Sequence, residues 1–88
     1  MNKDFQVLQA QFQERTESNI NLVAAWLTFG ATLNPQINRA DPKHISFKVS
    51  GYDLDRIEEL WISRKLTGDL KTYGERLHEL RSLIHMRY

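Results

Sequence analysis

The stretch HISFKVSGYDLDRIEEL, residues 44–60, changes its hydrophobic period halfway along, and the fold turns on that change. Up to Val49 the period is two: Ile45, Phe47 and Val49 fall on one side, and His44, Ser46, Lys48 and Ser50 on the other, the pattern of a half-buried strand. From Asp53 the period is helical, with Leu54, Ile57, Leu60 and Trp61 supplying the apolar face. Asp53 is a natural N-cap, and Tyr52 before it can pack on Ile57 as a hydrophobic staple. Glu58 and Glu59 come early and Arg64 and Lys65 late, which suits the helix dipole, and Gly68 ends the segment. Asp69 caps a last helix, in which Leu70, Tyr73, Leu77, Leu80 and Ile84 recur at spacings of three and four.

A lone strand in front of a helix leaves backbone donors and acceptors unpaired, which is costly if buried and adhesive if exposed. It needs a mate. One candidate is residues 27–33 of the same chain, where Leu27, Phe29, Ala31 and Leu33 alternate; the other is the same strand of a second molecule.

Upstream, Phe5, Leu8 and Phe12 start an amphipathic helix whose other face carries Gln6, Gln9, Gln11 and Gln13. The polar run QERTESN, residues 13–19, interrupts the stripe before Ile20, Val23 and Leu27 renew it. The expectation is a single, bent helix ending near Gly30, with a second helix capped by Ser18 or Asn19 as the competing reading. Asn34-Pro35 and Asp41-Pro42 then bracket a loop, because each proline removes a backbone donor and biases its predecessor away from helix. The predicted organisation is an N-terminal helical segment over 1–33, a loop over 34–43, and a strand-helix-helix unit over 44–88.

A chain of 88 residues fits one domain with a small core, which pairing with a second copy often stabilises. Without cysteine there is neither a disulfide framework nor a thiolate metal site. The N-terminus lacks the continuous apolar core of a signal peptide, and the longest apolar run, LVAAWL, is far short of a membrane span, so a soluble cytoplasmic protein is expected. Residues 1–38 hold two basic and three acidic side chains and residues 39–88 hold ten and eight, so the second half is basic by +2, a small excess for phosphate binding.

No nucleophile lies in a glycine-flanked elbow and there is no glycine-rich phosphate loop. Glu75 and His78 make one E-x-x-H pair where a di-iron bundle needs two and two further glutamates, and His85 brings no carboxylate with it. The expectation is a non-enzymatic protein without metal or cofactor. Trp26, Phe29 and Trp61 are expected in the core, with partner-interface anchors as the second reading.

The order strand, helix, glycine-containing turn and helix, with ISFKVS leading into LDRIEEL and then TGDLKTYGERLHEL, resembles the ribbon-helix-helix family of the Arc and MetJ type over residues 43–86, about half the chain. The resemblance implies a homodimer whose two strands pair antiparallel into a ribbon that enters the major groove of double-stranded DNA. It places Ile45, Phe47 and Val49 in the core, gives His44, Ser46 and Lys48 to base edges, and puts Arg39 and Lys43 beside the ribbon. The expected fold is thus mainly α with a short β element, a ribbon-helix-helix-like dimer; the alternative is an α-β-β-α-α single domain with an intramolecular hairpin. The matching functions are a DNA-binding regulator or DNA-processing accessory protein of phage or plasmid type, and, alternatively, a small protein-binding module such as a phage-type inhibitor or adaptor, acting through a helical surface.

Overall fold

The computed structural model describes residues 11–34, 37 and 45–85. The strand at the centre of the sequence argument, β3 (Phe47–Tyr52), is also the centre of the sheet. On one side it pairs antiparallel with β1 (Phe12–Glu17), from Phe12 opposite Tyr52 to Glu17 opposite Phe47. On the other it pairs antiparallel with β2 (Thr32–Leu33), and Asn34 N donates to Lys48 O to continue that flank. β1 and β2 therefore run parallel with β3 between them, a split β-α-β arrangement closed by helix α1 (Ile20–Thr28). Helices α2 (Leu54–Ile62) and α3 (Leu70–His85) follow.

The mate of the lone strand is thus found within the chain, and on both flanks. Residues 32–33 belong to the predicted intramolecular partner, and the β-β-α-α order after α1 is that of the single-domain alternative. The single helix predicted to run through residues 12–30 is corrected: residues 12–17 are strand, and the helix begins after Asn19, as in the two-helix reading. Asn19 is extended (φ −79°, ψ 104°) and its side chain accepts from Asn21 N at 3.0 Å. Glu17 Oε2 accepts from the backbone N–H of Ser18 and of Asn19, fixing the corner between β1 and α1. The part of the predicted helix that carries Phe5 and Leu8 lies outside the described residues.

Five consecutive α1 residues, Leu22 to Trp26, are buried, because α1 lies between the sheet and the other two helices. A helix that is apolar all round belongs in a core, and this explains the run LVAAWL. No helix among the described residues is long and apolar enough to cross a membrane. Trp26 hydrogen-bonds from Nε1 to Leu54 O at 2.9 Å, tying α1 to the start of α2. Phe47 and Val49 face this core and Lys48 faces solvent, as the period of two predicts, and the alternation runs on past the predicted stretch, with Gly51 inward and Tyr52 outward. Gly51 is needed for close approach: a Cβ there would stand 2.8 Å from the Ala31 Cβ.

The junction of β3 with α2 departs from expectation. Asp53 makes no side-chain cap; it sits in the left-handed region (φ 59°), where its backbone N–H donates to Gln11 O and its carboxylate accepts from Gln11 N. Tyr52 points away from Ile57 and packs edge-on against Phe12 across the strands, ring centroids 5.2 Å apart. α2 ends at Ile62, six residues before Gly68, so Arg64 and Lys65 lie in the turn after the helix and not in its last turn. The Asp69 cap is found as predicted, its carboxylate accepting from Lys71 N, Thr72 N and Thr72 Oγ1.

Candidate functional site

Two helix endings shape the surface opposite the sheet. α1 stops with Ala31 N donating to Trp26 O and Gly30 N to Leu27 O, the paired bonds of a Schellman turn, with Gly30 at φ 96°. α2 stops the same way, with Lys65 N donating to Leu60 O at 2.8 Å and Arg64 N to Trp61 O at 3.1 Å. Here the left-handed position falls to Arg64, at φ 62°. Glycine takes that conformation freely, whereas a side chain with a Cβ pays roughly 1–2 kcal/mol for it.

Between these two turns and the first turns of α3 lies a cleft of about 260 Å³, walled by Phe29, Trp61, Leu66, Leu70 and Tyr73 with Arg64 at its edge. Phe29 is 47 % exposed and Leu70 84 %. Both are helix-terminal residues, Phe29 the C-cap of α1 and Leu70 the first residue of α3. Phe29 leans over Gly68, where an added Cβ would meet its ring at 3.2 Å. Gly68 therefore serves the cleft where helix termination was predicted.

Charge is distributed unevenly around this surface. Arg15, Arg56 and Arg76 are in ion pairs with Asp55, Glu59, Glu75 and Glu79, whereas Arg64, Lys65 and Lys71 are in none among the described residues. One carboxylate, Asp69, also lines the cleft and is hydrogen-bonded to the start of α3: the hydrogen bond from the Thr72 hydroxyl, with those from the Thr72 and Lys71 amides, holds it below the usual carboxylate range.

A second, wider groove runs along Gln11, Gln13, Asp53, Asp55, Glu58 and Ile62. Its polar groups are largely used in holding β1 to α2. Asp55 accepts from Arg15 and from Gln13 Nε2, and its backbone N–H donates to Gln13 Oε1. The Arg15 bond is the main cause that lowers the Asp55 carboxyl below its ordinary range.

Of the residues predicted to contact DNA, Lys48 is exposed at the middle of β3 and Ser46 is half-buried just before the strand. Arg39, Lys43 and His44 lie outside the described residues. The outward sheet face that holds Lys48 also holds Glu14, Thr16, Ser50 and the Phe12–Tyr52 pair. Of the three aromatics expected in the core, Trp26 is there, Trp61 is half-buried and Phe29 opens onto the cleft. Sequence reasoning missed Phe29, Arg64 and Leu70 as a group. The usable signal was their position at helix ends, where an apolar stripe runs past the element that would cover it. No known protein family, characterised protein or solved structure matches this chain.

Proposed function

We propose that this chain is a small, non-enzymatic protein-binding module that engages its partner through the cleft on its helical surface. One observation carries the proposal: Phe29 and Leu70 are left exposed beside Trp61 and Tyr73 in a concave, largely apolar site. Aromatic and aliphatic side chains around a concavity supply the anchor pocket of a peptide-binding surface, because desolvating them is favourable and their shape selects the incoming residue. Selection of a random displayed-peptide library on the immobilised protein tests it. Peptides enriched on the wild type and lost on Leu70→Glu support the module, and Leu70 is exposed enough for that change to spare the fold. Enrichment that survives Leu70→Glu overturns it.

DNA binding by a ribbon-helix-helix-like dimer is the second reading, favoured by the exposed Lys48 and its polar neighbours on the outward face of β3. A two-chain ribbon built on β3 requires β1 or β2 to give up its place beside that strand, since both flanks are hydrogen-bonded within the chain. The three-stranded sheet face is the more economical route to the same contacts. On this reading Lys48→Ala weakens specific binding by about 1–3 kcal/mol.

A further inference from the structure

We infer that the cleft selects an acidic segment carrying one large apolar anchor, with Arg64 as the residue that reads the acid. This rests on the proposal that the cleft is a protein-binding surface and adds the chemistry of what it binds.

The apolar half of the inference follows from the walls. Trp61 and Tyr73 are half-buried and offer flat faces, Phe29 and Leu70 are more exposed, and a volume of about 260 Å³ is of the order of one large side chain with its backbone. The acidic half follows from the rim. Arg64 lines the cleft, and neither it nor the exposed lysines next to lining residues in sequence, Lys65 and Lys71, has an ion-pair partner among the described residues; the one carboxylate in the lining, Asp69, already accepts three hydrogen bonds from its own helix. Arg64 and the flanking Lys65 and Lys71 thus outnumber the single carboxylate of the cleft, although the chain as a whole is near neutral at +1.

Arg64 is singled out by a separate observation. The α1 ending fills the left-handed Schellman position with Gly30, and the α2 ending fills the equivalent position with Arg64. Backbone geometry favours glycine there, so the arginine is not explained by termination of the helix. A guanidinium at the mouth of an apolar cleft can hold a carboxylate by paired N–H donors while the neighbouring anchor fills the space behind it.

The test uses the full chain and short fluorescein-labelled peptides: one with a tryptophan flanked by glutamates, one with glutamines in their place, one with lysines, one with the tryptophan replaced by alanine, and a short oligothymidylate as the nucleic-acid competitor. Anisotropy gives affinities, and the two indole N–H resonances give the location, because Trp61 lies in the cleft while the Trp26 indole is buried on Leu54 O and serves as the internal control. The expected result is binding of the acidic tryptophan peptide with a shift at Trp61 and none at Trp26, weakened about tenfold by glutamine replacement and by Arg64→Gly. Arg64→Gly is also expected to raise the thermal midpoint, since it relieves the left-handed strain. A purely structural arginine would not give that pairing of greater stability with weaker binding.

Equal affinity for the glutamine or lysine peptide, with the Trp61 shift intact, overturns the acidic preference and leaves the protein-binding module standing. A tighter oligothymidylate complex at the same resonances overturns the inference in favour of a nucleic-acid ligand. Failure of every peptide to shift Trp61 sinks the inference and the module together.

Discussion

Phe47 and Gly51 both face inward from β3, and replacing either one tests that face from an opposite direction. Phe47 is almost completely buried, so Phe47→Ala removes apolar contact and leaves a cavity, at a cost of roughly 3–5 kcal/mol in chemical denaturation. A loss below about 1 kcal/mol would place the ring on the wrong side of the sheet. Gly51→Ala acts by crowding, since the new Cβ would stand 2.8 Å from the Ala31 Cβ, and should cost about 1–3 kcal/mol. Ala31→Gly in the same chain should recover part of that loss, and a double-mutant cycle without coupling would show that the two residues do not meet. Phe47 and Val49 were legible as inward because they alternate with the polar Lys48 and Ser50, whereas the continuation of the strand through Gly51 and Tyr52 was not, since those residues also suit the entry to a helix. Asp53 was not legible. Its type suits an N-cap, yet its carboxylate is drawn to Gln11 by tertiary pairing that no local pattern announces.

At the scale of elements, β1 escaped the sequence for a physical reason. Its inward residues are Gln13, Arg15 and Glu17, half-buried and polar, so the period of two carries no hydrophobic signal. They suit an edge strand lying beside α2, where Gln13 and Arg15 bond Asp55 in place of a packed apolar face. Central α1, by contrast, was visible in the spacing of Ile20, Val23 and Leu27, and α3 in that of Leu70, Tyr73, Leu77, Leu80 and Ile84. The Asp55 clasp implies a pH dependence with a definite sign. Hydrogen bonds hold the folded carboxyl below its unfolded value, so the contribution is complete above the ordinary carboxylate pKa and is lost as pH falls through the lower, folded one. Asp69 adds in the same direction at the start of α3. Amide protection of β1, relative to the intrinsic exchange rate, should therefore fall below about pH 4, ahead of β3, and Asp55→Asn should remove most of that acid sensitivity. Equal acid sensitivity in the variant would mean that β1 is held by its ladder with β3 alone.

For the whole molecule, the two functions differ in how they respond to salt. A DNA-binding dimer using Arg39, Lys43 and Lys48 from each protomer would neutralise about four to six phosphates, and its affinity for generic duplex would fall with a log-log slope of about −4 to −5 as counterions are released. The described residues offer little for such a footprint. The chain's net charge is +1, Lys48 shares its face with Glu14, and the unpaired Arg64 lines the cleft on the helical side. β1 pairs with β3 from Phe47 to Tyr52 and β2 pairs with it at Val49 and Ser50, so a ribbon between two protomers built on β3 would have to displace one of these strands. The expected outcome is a duplex affinity too weak to measure by fluorescence anisotropy at moderate salt, with no slope of that steepness at lower ionic strength and no change on Lys48→Ala. Light scattering on the same samples fixes the oligomeric state. A steep, Lys48-dependent slope from a dimer would restore the ribbon, because only paired protomers gather that many cations on one face. The same slope from a monomer would keep DNA as the ligand and make the outward face of the three-stranded sheet its platform.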